Sequence, residues 1–190
     1  MAELCRANRV LLLADEIQTG LSRTEQMFAC QHAGVRSDVT LLGKTLGGGM
    51  LPVSAVLADR ELLGLLQSGE DGSTFGGNPL AAAAGLAARR VLVEEKLVEN
   101  SAVLGEYFQE RLAEFPSPHV KAVRGRGYFI GVELKPPAGG ARRFCEALQQ
   151  KRILAKETHE HVIRFAPPLA IDRPTFDWAL GPITDVLNMA

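Results

Sequence analysis

Residues 11–20 read LLLADEIQTG, an apolar run, Leu11 to Ala14, that ends directly on two acids, Asp15 and Glu16. A short continuous apolar run bounded by polar residues suits a strand buried on both faces, as in a parallel sheet. Acids at the carboxyl end of such a strand sit where open α/β sheets hold their ligands. A buried carboxylate is costly unless a cation or hydrogen-bond donor meets it. The stretch therefore predicts a partner for Asp15.

Two further apolar runs, Val39 to Leu42 and Val53 to Ala58, read as companion strands, separated from the next by the glycine-rich loop LGKTLGGGMLP. Asp59 is placed to cap a short helix, RELLGLLQ. Asn78 and Pro79 are placed to start a helix over Pro79 to Lys96, with Pro79 in its first turn. A second helix is expected over Val98 to Phe115, with Val103, Leu104, Phe108 and Leu112 at core spacing. The pattern then changes. FPSPHV leads into two strand-like pieces, KAVRGRG and YFIGVEL, and KPPAGGAR precedes a helix over Arg142 to Lys151. Strands at Ile153 to Ala155 and Val162 to Phe165 and a helix over Arg173 to Leu187 complete the expectation. The reading is an α/β part with a mostly parallel sheet over residues 1–97 and a smaller α+β part over 98–190. MAELCRANRVLL reads as a helix end entering a central strand, so the chain is expected to be the second half of a larger fold.

Composition narrows the function classes. With 21 Lys+Arg against 22 Asp+Glu in 190 residues, the chain has no basic footprint for nucleic acid or an anionic membrane. No apolar run approaches the roughly 18 to 20 residues that cross a bilayer, and the N-terminus is a poor signal peptide. Cys5, Cys30 and Cys145 are odd in number and far apart, which points to reduced thiols and a cytoplasmic location. His159 and His161 have no Cys ligands at metal-site spacing, so no metal is expected.

Lys44 follows a strand-like run and precedes three glycines. Gly43-Lys44-Thr45 resembles the tail of a P-loop, but that motif needs a glycine five places before Gly43, where Asp38 stands. Alone, Lys44 reads as a solvated loop lysine. A lysine at a strand end can also form a Schiff base, where desolvation keeps its amine reactive. Asp15 lies 29 residues earlier, also after an apolar run. A lysine for the aldehyde and an acid for the pyridinium nitrogen, on neighbouring strand ends, are what pyridoxal 5'-phosphate requires. That ring nitrogen is the expected partner of Asp15.

The segments ADEIQTGLSRT, LLGKTLGGGMLPVSAVLA, GSTFGGNPLA, VRGRG and ILAKETHEHVIRFAPPL, in this order, resemble the class III, fold-type I aminotransferases, and within them the ornithine-specific branch. The resemblance covers nearly the whole chain. It implies the C-terminal portion of a fold-type I transferase that moves the δ-amino group of ornithine to 2-oxoglutarate. It also implies Lys44 as the Schiff-base lysine, Asp15 as the pyridinium partner and Gln18 at the ring hydroxyl. Ser73 and Thr74 match the segment that reaches the cofactor phosphate of a neighbouring subunit, and Arg164 matches a substrate-site arginine. Ser22 and Glu25 depart from the pattern, standing where relatives have small residues or glycine. The family's phosphate loop and ring-stacking aromatic have no counterpart here, so the chain alone is expected to be inactive. It is expected to form a homo-oligomer or to associate with a separately encoded N-terminal half. The alternative is a non-catalytic remnant or interaction module.

Overall fold

The computed structural model describes residues 1–189. They form two compact units, Met1–Ser22 with Gln26–Val98, and Arg23–Glu25 with the chain from Glu99 onward.

The first unit opens with α1 (Ala2–Ala7), which leads into β1 (Leu13–Asp15). β2 (Val39–Leu42) and β3 (Ala55–Ala58) complete a three-stranded sheet in the order β1-β2-β3. β1 and β2 are parallel, whereas β3 returns antiparallel to β2. This sheet is mixed because β2 reaches β3 through a loop and the turn Lys44–Gly47, not through the helical crossover a parallel neighbour needs. α2 is short (Arg60–Leu63), and Asp59 at its N-cap position makes no capping bond. The Asp59 carboxylate instead pairs with Arg36 at 2.6 Å. α3 (Pro79–Glu94) starts as the sequence predicts: Ala81 N–H donates to Asn78 Oδ1 at 2.8 Å, and Pro79 occupies the first turn, where a missing N–H is harmless.

The expectation that Leu11–Ala14 is buried on both faces is not met. Leu13 is 57% exposed and Val56 54% exposed. The register puts Leu13, Val39, Leu41 and Val56 on one face of the sheet, where Leu13 and Val56 are exposed and Val39 and Leu41 half-buried. The opposite side contributes Leu42, which is buried.

The second unit is built differently. α4 (Leu97–Glu114) runs into it, followed by the hairpin β4 (Val120–Arg126) and β5 (Phe129–Leu134), then α5 (Arg142–Gln150), β6 (Lys156–Thr158), β7 (Val162–Phe165) and α6 (Arg173–Leu187). Its four strands form an antiparallel sheet in the order β4-β5-β7-β6. Alternation decides its faces. Ile130, Val132 and Leu134 of β5 and Ile163 and Phe165 of β7 are buried, while Phe129, Gly131, Glu133 and Arg164 lie on the outer face. The core includes Phe108, Tyr128, Phe144 and Phe176, with the Phe108 and Phe176 rings 4.6 Å apart. Each such phenylalanine contributes roughly 1.5 to 3 kcal/mol through burial.

Backbones meet closely where α4 crosses the β4–β5 turn. A Cβ on Gly105 would stand 2.4 Å from the Gly127 carbonyl oxygen, so glycine is required there. Glu25 sits in the left-handed region at φ 60°, a conformation that favours glycine, and its carboxylate pairs with Arg126 at 3.1 Å.

Two details differ from the sequence reading. Val103 is 66% exposed, because the buried face of α4 is formed by Phe108 and Leu112. Ile153–Ala155 is irregular, and pairing with β7 begins one residue later, at Lys156. Among the described residues no helix is long and apolar enough to cross a membrane.

Candidate active site

The parallel pairing of β1 with β2 sets Asp15 opposite Leu41, three residues before Lys44. Both residues therefore leave the same end of the sheet, the carboxyl end of two adjacent parallel strands. Glu16 N–H donates to the Leu41 carbonyl at 3.0 Å and carries the pairing one step further. The chain after β1 then turns, with Asp15 Oδ1 accepting from Ile17 N–H at 3.1 Å. The loops beyond the two strands pack against each other at Gly43, where a Cβ would lie 3.2 Å from Ile17 Cγ2.

Lys44 opens the Lys44–Gly47 turn with φ 41°, a conformation that costs a residue other than glycine of order 1 kcal/mol. Its side chain is exposed, and its amine has no hydrogen-bond or ion-pair partner among the described residues. It lines an open cleft of about 670 Å³ together with Ile17, Gly43, Ser54, Ser73 and Asn78. Asn78 caps α3, so the N-terminus of a 16-residue helix borders this cleft and favours negative charge there. Ser73 Oγ accepts from Gly76 N–H at 3.0 Å and holds the turn before α3.

The structure thus brings Lys44 and Ser73 onto one cleft wall. Asp15, the last residue of β1, Gln18, in the turn that follows it, and the exposed Thr74 lie off that wall. Arg164 lies in the second unit, half-buried on β7, with its guanidinium 5.8 Å from the centre of the Phe129 ring.

Sequence reasoning assigned the buried carboxylate to Asp15, but Asp15 is exposed and its neighbour Glu16 is the buried one, 3% exposed. Thr19 Oγ1 donates to Glu16 Oε2 at 2.6 Å, and Cys30 N–H donates to Oε1 at 2.8 Å. Burial pushes the Glu16 carboxyl up. Hydrogen bonds from the Thr19 hydroxyl, the Cys30 and Ala29 amides and the Cys30 thiol outweigh it, holding the carboxyl below the usual glutamate range. Burial, and then the charge of Glu16, push the Cys30 thiol up, which makes it a poor nucleophile. Glu16 is a structural anchor that ties the loop after Asp15 to the Ala29–Ala33 turn. The pairing of the acid with Thr19 three residues later, an arrangement suited to a local turn, is the sequence signal that marks it.

Comparison with known proteins shows the family. The family model for aminotransferase class-III matches residues 1–187. The chain is 52% identical over 189 residues to ornithine aminotransferase of Bacillus subtilis (strain 168), covering 100% of this chain and 46% of that protein. Its structure superposes on ornithine aminotransferase from Plasmodium yoelii with a TM-score of 0.92 at 39% identity, covering 98% of this chain and 50% of that one. Acetylornithine aminotransferase from Elizabethkingia anophelis gives a TM-score of 0.91 at 39% identity, covering 98% of this chain and 47% of that one. The chain spans about half the length of the relatives it matches. The expected fold class is met: an α/β chain that corresponds to the C-terminal portion of fold-type I aminotransferases, enzymes that use pyridoxal 5'-phosphate. With its strand-end lysine and acid set in that fold, the chain belongs to the class-III aminotransferases.

Proposed function

We propose that this chain supplies the reactive lysine and the ring-nitrogen acid of an ornithine aminotransferase. The whole enzyme would transfer the δ-amino group of ornithine to 2-oxoglutarate, giving glutamate 5-semialdehyde and glutamate. The observation that carries this reading is the parallel β1–β2 pair ending on Asp15 and leading into Lys44. Identity of 52% to a Bacillus ornithine aminotransferase supports the choice of amino donor.

The donor set fits pyridoxal 5'-phosphate. Lys44 offers an amine that no protein group occupies, Asp15 offers an exposed carboxylate, and Ser73 and Thr74 offer hydroxyls. When bound, the cofactor supplies an electron sink for the carbon that carries the migrating nitrogen. Lys44 would hold its aldehyde carbon covalently. Lys44 Nζ, when free, would be the base that takes a proton from the substrate carbon and returns it. Asp15 would hold the proton on the ring nitrogen, since an adjacent carboxylate favours the charged form of such a group. Gln18 would contact the ring hydroxyl, and Ser73 and Thr74 would reach the phosphate of a neighbouring subunit's cofactor. Arg164 would bind a substrate carboxylate, for which its planar fork suits a bidentate contact.

Residues 1–97 would then be the C-terminal part of the large cofactor domain and 98–190 the small domain, in a cytoplasmic enzyme. The exposure of Leu13 and Val56 on one sheet face favours a partner over a self-sufficient module. That partner would be a second copy of the chain or a complementary N-terminal half. The test is co-expression with the N-terminal half of the Bacillus subtilis enzyme, followed by assay with ornithine, N-acetylornithine and 4-aminobutyrate as amino donors. Preference for ornithine is expected. Preference for either other donor, or no turnover from a well-formed complex, would refute the proposal.

A further inference from the structure

The outer face of the second sheet carries Lys121, Arg124 and Arg126 on β4, Glu133 on β5, Arg164 on β7 and Lys156 on β6. Its acids are already engaged. Lys121 Nζ donates to Glu133 Oε1 at 2.6 Å, Arg124 Nη1 donates to Glu133 Oε2, and Glu25 pairs with Arg126. Hydrogen bonds from Lys121 and then Arg124 hold the Glu133 carboxyl below the usual range. Arg164 and Lys156 have no ion-pair partner among the described residues.

The register sets these two cations directly opposite each other on antiparallel strands. Side chains in such a pair share a face, with Cβ atoms about 4.5 to 5.5 Å apart, and like charges there destabilise the sheet. On its other flank Arg164 faces Gly131, which has no side chain, and the guanidinium lies 5.8 Å from the centre of the Phe129 ring on the same strand as Gly131. A Cβ at residue 131 would stand 3.3 Å from Val162 Cγ1, so even a methyl group would crowd that flank.

We propose that Lys156 is a second cationic contact for the substrate carboxylate read above as held by Arg164, and that the opposed pair forms one anion seat. The inference rests on that reading of Arg164. Arg164 supplies the planar fork that a carboxylate matches, and Lys156 adds a point charge from the edge strand. The bound carboxylate offsets the repulsion that the empty pair carries. A 2-oxo dicarboxylic acid, or the amino dicarboxylic acid formed from it, is the substrate class that fits.

The test uses the full chain, with glutarate as the probe and glutaramide and inorganic phosphate as controls. Dissociation constants come from NMR titration and melting temperatures from thermal unfolding. Glutarate should bind and raise the melting temperature, and glutaramide should not. K156Q should weaken glutarate about two- to fivefold, the range for one exposed ion pair, yet raise the melting temperature measured without anion. K156R should bind glutarate within about twofold of the parent. K156E, which pairs with Arg164, should be more stable and lose the glutarate response. A purely structural Lys156 would not weaken binding while raising stability. Unchanged glutarate binding in K156Q with weakened binding in R164Q would overturn the role of Lys156 and leave that of Arg164. Absence of glutarate binding by the parent chain would overturn both. A Lys156-dependent response to phosphate alone would overturn the carboxylate assignment.

Discussion

Gly43 lies against Ile17, so that a Cβ on the glycine would stand 3.2 Å from the isoleucine Cγ2. This contact is where the loop after Asp15 meets the residue preceding Lys44. It limits how closely the two loops can approach. Gly43→Ala should push the loops apart by a few tenths of an ångström and reduce pyridoxyl labelling of Lys44 severalfold, with little change in overall helix content. Ile17→Ala in the same chain removes the Cγ2 that the new methyl group meets and should restore part of the labelling. Labelling of Gly43→Ala at the parent level would show that the contact does not position Lys44.

Glu16 is expected to matter for stability. Glu16→Gln should cost about 1 to 3 kcal/mol near neutral pH, because the buried donors around it then meet a weaker acceptor. Its folded-state carboxyl lies below the ordinary glutamate value of about 4.3. Its contribution is therefore complete above that value and is lost as the pH falls through the lower folded one. The stability gap between parent and Glu16→Gln, read from urea unfolding at several pH values, should narrow below about pH 4.3. A gap that widens toward acid would contradict this assignment.

Leu13 and Val56 are exposed on a sheet face that they share with the half-buried Val39 and Leu41. The isolated chain should self-associate through that face. Replacing Leu13 and Val56 together by lysine should shift sedimentation toward the monomer with the fold retained. A parent chain that sediments as a clean monomer would mean that the face needs no partner.

Much of the second unit was legible in the sequence. The helix over Arg173–Leu187 and the strand Val162–Phe165 occur as expected, because alternation and helical spacing report directly on a core that the chain itself supplies. The first unit was harder to read. The run Leu11–Ala14 has the composition of a central strand, but composition cannot say which residues will cover it, and here Leu13 is left exposed. Asp15 and Glu16 could not be ranked by burial from sequence, since that depends on how Cys30 returns to the loop from 14 residues away. The strand-end placement of Asp15 and Lys44 was legible, because parallel pairing puts every carboxyl end on the same side.

Asp15→Ala should impair chemistry more than folding, since Asp15 is exposed and makes one local hydrogen bond. In the complex with a complementary N-terminal half, losing one partner of a pair that the cofactor buries costs about 3 to 5 kcal/mol. If the loss falls on the transition state, turnover drops about 10²- to 10⁴-fold. Turnover within about threefold of the parent would remove Asp15 from the mechanism.

The central claim is that Lys44 carries the cofactor, and borohydride reduction with peptide mapping tests it most directly. The chain is paired with a complementary N-terminal half, incubated with pyridoxal 5'-phosphate, reduced and digested, and the same is done with the chain alone while transaminase activity is followed. The account predicts a pyridoxyl group on Lys44 in the pair, together with ornithine transamination, and no appreciable activity from the chain alone. A label on Lys96 or Lys121 in place of Lys44 would contradict it.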